Sequence, residues 1–165
     1  SNKGKNSYSV TETLDKEMLR STEYSEMYDP HVWFDVILWK EVVIYIASCL
    51  KKHFIKNEQE IELNCKNLCL ELDILHNYII KKINEIDINK RVLISAHDAF
   101  GYFGKRYGLV VEGLQGISTD AEIRVDDIER VAQTIMKYDI NVIFIEQTVP
   151  EKYINGINII YYNCV

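Results

Sequence analysis

The clearest pattern in the chain is a regular spacing of apolar residues between Asn57 and Ile86. Apolar residues recur there at intervals of three and four, and most of the glutamates and lysines fall between them. The apolar positions are Ile61, Cys65, Leu68, Leu72, Leu75, Ile79, Ile83 and Ile86. Because an α-helix turns once in 3.6 residues, this spacing predicts one helix of about 30 residues, roughly 45 Å long. Such a helix can belong to a bundle or can serve as a stiff strut behind a two-lobed protein.

A second helix is predicted from about Val32 to His53. Pro30 keeps Asp29 out of the right-handed helical region, and the Asp29 side chain is suited to capping the helix that follows. The apolar face of this helix is wide enough to need a covering layer. Its members are Val32, Val36, Leu38, Trp39, Val42, Val43, Ile46 and Leu50.

Beyond Ile86 the pattern changes to short apolar runs that alternate with helical stretches. The predicted strands are Arg91–Ser95, Leu109–Leu114, Asn141–Glu146 and, from its β-rich composition, Ile157–Tyr162. The predicted helices between them are His97–Tyr107, which Gly108 ends, and Asp126–Tyr138. Strands that alternate with helices predict parallel pairing, and therefore an α/β unit.

Composition narrows the class of protein further. The chain has 165 residues, of which 47% are hydrophobic, so it can bury a core. Its formal net charge of −6 argues against nucleic acid as a partner. The most apolar stretch, from Val32 to Leu50, contains three charged residues, so it is not predicted to cross a membrane.

Two histidines are the candidate functional residues. His31 and His97 are predicted to stand at the starts of two helices, 66 positions apart and on either side of the long helix. Neutral imidazoles that share a cleft are typical ligands of transition metals. Asp35, one helical turn after His31, could accept the second ring N–H, and Asp98 could support His97 or cap its helix. The competing interpretation is that both histidines are capping or packing residues.

An enzyme using the same imidazoles is the less favoured alternative. A metallohydrolase needs a general base beside an open metal position. Glu122 and Glu146 could be nominated, but the chain has no HExxH or similar signature that would place a carboxylate beside either histidine. We therefore predict that the protein is not an enzyme.

Several long motifs resemble one family, the zinc and manganese solute-binding proteins of bacterial ABC importers, also called the TroA-like group. The resemblance runs from about Val10 to Ile154. It is carried by residues 29–35 (DPHVWFD), the long helix, residues 95–103 (SAHDAFGYF), residues 113–119 (GLQGIST) with Glu122, and residues 143–146 (IFIE).

The resemblance implies a two-lobed α/β receptor with a rigid backbone helix and one divalent metal ion in the cleft between the lobes. Residues 1–56 would be part of the N-terminal lobe, 57–88 the backbone helix, and 89–165 an incomplete C-terminal lobe with a parallel sheet. His31 and His97 fall on the family's second and third metal ligands. The first ligand, a histidine, would lie upstream of Ser1 and the fourth, an aspartate, beyond Val165, so the chain is expected to be a central fragment.

The resemblance also implies the cargo and the partners. A histidine at the third ligand position favours Zn²⁺ over Mn²⁺, and the partner would be an ABC permease in the membrane. The expected location is periplasmic or extracellular, with a lipid anchor on the full-length protein. The alternatives are a surface adhesin and a degenerate paralogue that binds metal weakly. An incomplete first lobe would leave the apolar face of the Val32–Leu50 helix uncovered, which predicts self-association through that face.

Overall fold

The computed structural model describes residues 7–22, 27–117, 123–140, 143–144 and 155. The regular elements within these residues are four α-helices and two strands. In chain order they are α1 (Val36–His53), α2 (Glu58–Asn84), β1 (Val92–His97), α3 (Gly101–Tyr107), β2 (Val110–Gln115) and α4 (Val125–Tyr138). Short 3₁₀ turns at Val32–Phe34, Ile55–Asn57 and Ile88–Lys90 precede α1, α2 and β1.

Helix α1 begins four residues later than its sequence pattern predicts. The Asp35 side chain accepts hydrogen bonds from the backbone N–H groups of Ile37 and Leu38, at 3.0 and 3.3 Å. An aspartate in extended backbone geometry that accepts these bonds is a typical N-cap. The residues before it, Val32–Phe34, form a 3₁₀ turn that carries the chain from Pro30 into the helix.

Most of the apolar face of α1 is covered, contrary to the sequence-based expectation, although Leu50 at its end stays 41% exposed. Residues 10–19 pack on one side of it, where Leu38 and Val42 share a core with Leu14. Helix α2 packs on the other side, where Val36 and Val43 meet Leu72. Residues 10–19 and α2 thus supply most of the layer that was expected to be missing, so little of this face is left for the predicted self-association.

Helix α2 confirms the long helix predicted between Asn57 and Ile86. It turns Leu72 and its half-buried neighbours toward α1, and Lys40 on α1 donates to both oxygens of Asp73 at 2.7 Å. Four large apolar residues lie on its opposite face at steps of seven, four and four. We call these residues the outer stripe: Leu63, Leu70, Ile74 and Tyr78, with 57%, 52%, 70% and 57% of their surfaces exposed.

The second half of the chain is built on a parallel pair of strands, as predicted. β1 pairs with β2 in a register that places Val92 beside Val110 and His97 beside Gln115. Helix α3 connects them and ends at Gly108, whose φ of +75° is the left-handed geometry that favours glycine. Helix α4 packs on the pair through a core of four residues: Ile94, Leu114, Val131 and Ile135.

The remaining predicted strands fall mostly outside the described residues. Within 141–146 only 143 and 144 are described, and the Phe144 N–H donates to the Ile94 carbonyl at 3.0 Å. The segment 157–162 lies outside the described residues altogether. Over the part of the chain that is described, no helix has both the length and the apolar content needed to cross a membrane.

Candidate metal centre

The structure brings the two candidate histidines together. The centroids of the His31 and His97 rings lie 5.4 Å apart, with the ring planes inclined at 58°. His31 belongs to the turn before α1 and is buried, whereas His97 is half-buried at the end of β1. Two imidazoles from distant parts of the sequence therefore face one small region between the first and second halves of the chain.

The position of His97 differs from its sequence-based prediction. We predicted that a helix would start at His97, but β1 continues through His97 and α3 begins only at Gly101. His97 keeps its pairing with Gln115, and the following Asp98 N–H also donates to the Gln115 carbonyl at 3.0 Å. Pairing with β2 therefore keeps His97 in strand geometry and delays the start of the helix. His97 lies at the carboxyl end of a parallel strand, where ligands of open α/β sheets are found.

The Asp29–Pro30–His31 segment orients the first imidazole. One carboxylate oxygen of Asp29, Oδ1, accepts from the His31 backbone N–H at 2.9 Å and lies 2.7 Å from His31 Nδ1. The Asp29 side chain has no exposed surface. Because a carboxylate oxygen can only accept, Nδ1 is the donor in this bond, and in the neutral ring Nε2 then keeps its lone pair. The ring is therefore held in the tautomer that can donate electrons through Nε2.

Asp35 does not play the part that the sequence suggested. We expected it to accept the second ring N–H of His31, but Asp29 takes that place. Asp35 caps α1, and both of its carboxylate oxygens lie 2.8 Å from Nε of Arg106 on α3 and share its single N–H. The rule that residues one turn apart share a face applies within a helix, and a 3₁₀ turn separates His31 from α1.

Asp98 is also linked to an arginine. Its Oδ2 lies 3.1 Å from Nη2 of Arg20, while Nη1 of the same guanidinium lies 2.5 Å from Asp29 Oδ2. Burial by itself lowers the pKa of Arg20, but the hydrogen bond and charge of Asp98, together with Asp29, raise it above its ordinary value. Asp98 thus supports the second histidine's segment through Arg20, a residue that the sequence analysis did not single out.

Tyr102 ties the same turn to α3. Its hydroxyl donates to the Asp29 carbonyl at 3.0 Å and accepts from the Arg20 backbone N–H at 3.0 Å. The side chain is buried, and this burial raises the pKa of Tyr102, so the phenol remains a donor. Neither Arg20 nor Tyr102 has a local sequence signal, because their partners are 9 and 73 residues away.

Aromatic side chains surround the imidazoles. The Trp33 ring meets the His31 ring edge to face, with centroids 5.2 Å apart. Phe34 stacks on Phe100 at 4.3 Å, which packs the His31 turn against the segment that follows His97. Within the described residues, no three side chains of histidine, cysteine, aspartate or glutamate cluster closely enough to hold one metal ion. The described part of the site therefore offers two imidazoles in an aromatic setting.

Comparison with known proteins now identifies the family. Residues 1–158 match the family described as "ZnuA: Zinc-uptake complex component A periplasmic". The chain belongs to this family. The ZnuA/TroA family comprises periplasmic metal-binding, substrate-binding proteins of ABC importers and is not a family of enzymes. The family and the fold class predicted from the sequence are both confirmed.

Individual members of the ZnuA family are similar over most of this chain. It is 35% identical over 153 residues to "Manganese-binding lipoprotein MntA" of Bacillus subtilis, covering 93% of this chain and 50% of that protein. It is 37% identical over 148 residues to "Zinc-binding protein TroA" of Treponema pallidum, covering 90% and 48%. The solved structure of periplasmic zinc-binding TroA from Treponema pallidum superposes with a TM-score of 0.86 at 35% identity, covering 94% of this chain and 56% of that one. The chain thus spans about half the length of these relatives.

Proposed function

We propose that this chain binds a divalent transition metal ion between His31 and His97. The observation that carries the proposal is the separation of the two rings. Two imidazoles that bind one zinc ion at about 2.0–2.1 Å with a tetrahedral angle have centroids roughly 5 Å apart. The 5.4 Å between the His31 and His97 centroids is close to this value. The Asp29 hydrogen bond, which leaves Nε2 of His31 able to ligate, supports the same conclusion.

The preferred cargo in this proposal is Zn²⁺. Imidazole nitrogen suits zinc, whereas manganese prefers carboxylate and water oxygens. The names of the similar proteins divide between the two metals, since one is called manganese-binding and the other zinc-binding. A site that contributes two imidazoles favours zinc. Water and groups outside the described residues would complete the coordination.

Delivery is the second part of the proposal. Family members are substrate-binding components of ABC importers, so the whole protein would release its metal ion to a permease in the membrane. Related proteins are named as periplasmic proteins or lipoproteins, which supports a location outside the cytoplasmic membrane and attached to it. The division into an N-terminal lobe, a backbone helix and a C-terminal lobe is part of this proposal.

Calorimetric titration of the purified chain with Zn²⁺ and with Mn²⁺ tests the site. We expect zinc to bind more tightly than manganese, and His31→Ala and His97→Ala each to weaken zinc binding at least tenfold. His53→Ala is the matched control, because His53 is exposed at the end of α1 and bonds to Tyr8. Equal zinc affinity in the control and in both site variants would overturn the proposal.

Self-association is proposed through the outer stripe of α2, with a second copy of this chain as the partner. In an antiparallel pair centred near Leu70, Leu63 of each copy faces Tyr78 of the other. The exposed Glu60 then faces Lys81 at both ends of the contact, which is a favourable charge pairing. A parallel pair would set Glu60 against Glu60 and Lys81 against Lys81. The charges therefore favour the antiparallel arrangement.

A further inference from the structure

We infer that Arg20 is a positioning residue that sets the spacing between the His31 and His97 imidazoles. The inference rests on the proposed function and adds to it a residue from the irregular segment before Asp29. Arg20 is not itself a candidate ligand, because a guanidinium has no lone pair to donate. Its effect on metal binding would pass through the two aspartates that it contacts.

The guanidinium joins the two histidine segments directly. Nη1 of Arg20 lies 2.5 Å from Asp29 Oδ2, and the other oxygen of Asp29 holds Nδ1 of His31. Nη2 of Arg20 lies 3.1 Å from Oδ2 of Asp98, the residue that follows His97 in the chain. One rigid, planar group thus fixes both carboxylates at once. A lysine ammonium is a point charge and does not span two carboxylates in this way.

The backbone around Arg20 is fixed as well. Its carbonyl accepts from the Asp29 N–H at 2.8 Å, and Ser21 forms an antiparallel bridge with Tyr28. Its own N–H donates to the Tyr102 hydroxyl at 3.0 Å. The guanidinium therefore extends from an anchored strand-like segment, so that its position is transmitted to Asp29 and Asp98.

Gly101 makes room for this contact. A Cβ atom at Gly101 would lie 1.5 Å from Nη1 and 1.8 Å from Cζ of Arg20. Any larger residue at the first position of α3 must displace the guanidinium. The close approach of α3 to Arg20 therefore depends on the absence of a side chain at position 101, and it provides an independent test of where the guanidinium lies.

The metal-binding test compares two arginines that both join the halves of the chain. Arg106 pairs with Asp35 across α3 and α1 but contacts neither histidine segment through Asp29 or Asp98. We expect Arg20→Ala and Arg20→Lys to weaken zinc binding 10- to 100-fold at fixed temperature, as loss of the groups that orient a metal ligand typically does. Arg106→Ala should lower the thermal midpoint but leave the zinc affinity of the folded protein within about twofold.

A metal-free measurement separates this inference from the proposed function. In the metal-free chain, a nuclear Overhauser effect between the His31 and His97 ring protons should be present, and it should be lost or reduced in Arg20→Ala but kept in Arg106→Ala. Failure of the unaltered chain to bind zinc would refute the proposed function alone. Unchanged ring contacts and zinc affinity in Arg20→Ala would overturn the role of Arg20.

The single variant Gly101→Ala covers the case in which Arg20→Ala unfolds, and a double-mutant cycle extends the test if Arg20→Ala folds. Gly101→Ala alone should lower the thermal midpoint and weaken zinc binding, because its Cβ displaces the guanidinium. In the Arg20→Ala background the same change should be neutral or stabilising, since alanine is the better helix former. If Gly101→Ala binds zinc as tightly as the unaltered chain, the inference is wrong.

Discussion

Replacing Asp29 by asparagine should damage stability and metal binding together. The Asp29 carboxylate is fully buried and meets donors on both oxygens: Arg20 at 2.5 Å on one, and the backbone N–H and Nδ1 of His31 on the other. An asparagine has one accepting oxygen and one donating NH₂ group. Whichever way the amide turns, its NH₂ group meets a donor.

The magnitude follows from these contacts. Breaking a buried ion pair by removing one partner costs about 3–5 kcal/mol, but Arg20 keeps Asp98, so we expect a loss of about 2–3 kcal/mol in the free energy of unfolding. If the amide NH₂ turns toward His31, the ring must accept at Nδ1 and carry its proton on Nε2, the atom that would bind metal. Zinc affinity should then fall about 10- to 100-fold.

Urea unfolding followed by circular dichroism measures the first effect, and calorimetric zinc titration measures the second. Asp73→Asn is the matched control, since Asp73 is a half-exposed carboxylate that pairs with Lys40 away from both histidines. It should cost about 1 kcal/mol or less and leave zinc binding unchanged. If Asp29→Asn loses stability but keeps its zinc affinity, the expected link between this side chain and metal binding is wrong for asparagine. If its stability is also unchanged, the energetic reasoning about the buried carboxylate is wrong.

Two other predictions concern regions away from the histidines. Burial, reinforced by the charge of Asp35, raises the pKa of Tyr107 from 10 to about 12. Between those pH values the unfolded chain loses the phenol proton and the folded chain keeps it, so the free energy of unfolding should fall by about 2 kcal/mol as pH rises. Urea unfolding measures this fall, and the Tyr107→Phe variant should lack it. For the outer stripe, sedimentation equilibrium should show that the unaltered chain is a dimer. Either Glu60→Lys or Lys81→Glu should weaken this dimer, and the variant that carries both changes should restore it. A monomeric unaltered chain would contradict the proposal.

The regular elements could be predicted because their signals are local. The period of apolar residues in α2 and the alternation of strand and helix around β1 and β2 depend on neighbours a few positions apart. Gly108 ended a helix as expected for the same reason. The start of α3 could not be predicted, because β1 is extended to His97 by its pairing with Gln115, a contact between distant residues.

The two candidate histidines could be predicted from the sequence, but the residues that hold them in place could not. His31 and His97 stand in long motifs that resemble a known family, whereas Arg20 lies in a stretch with no periodicity. Asp35 was assigned to His31 on helical spacing, and the 3₁₀ turn at Val32–Phe34 removed the basis for that assignment. Asp29 carried a usable signal, because an aspartate two residues before a histidine can accept from that residue's backbone N–H.

The arrangement of the Phe34–Phe100 stack and the Tyr102–Asp29 hydrogen bond has a consequence for how the chain folds. Both contacts close a loop of more than sixty residues, and closing such a loop is slower than forming the α1–α2 hairpin, whose partners are near in sequence. The hairpin should therefore form early and the two histidines should meet late. A nascent chain whose Tyr102 is still inside the ribosome would have both helices in place while His31 and His97 remain apart.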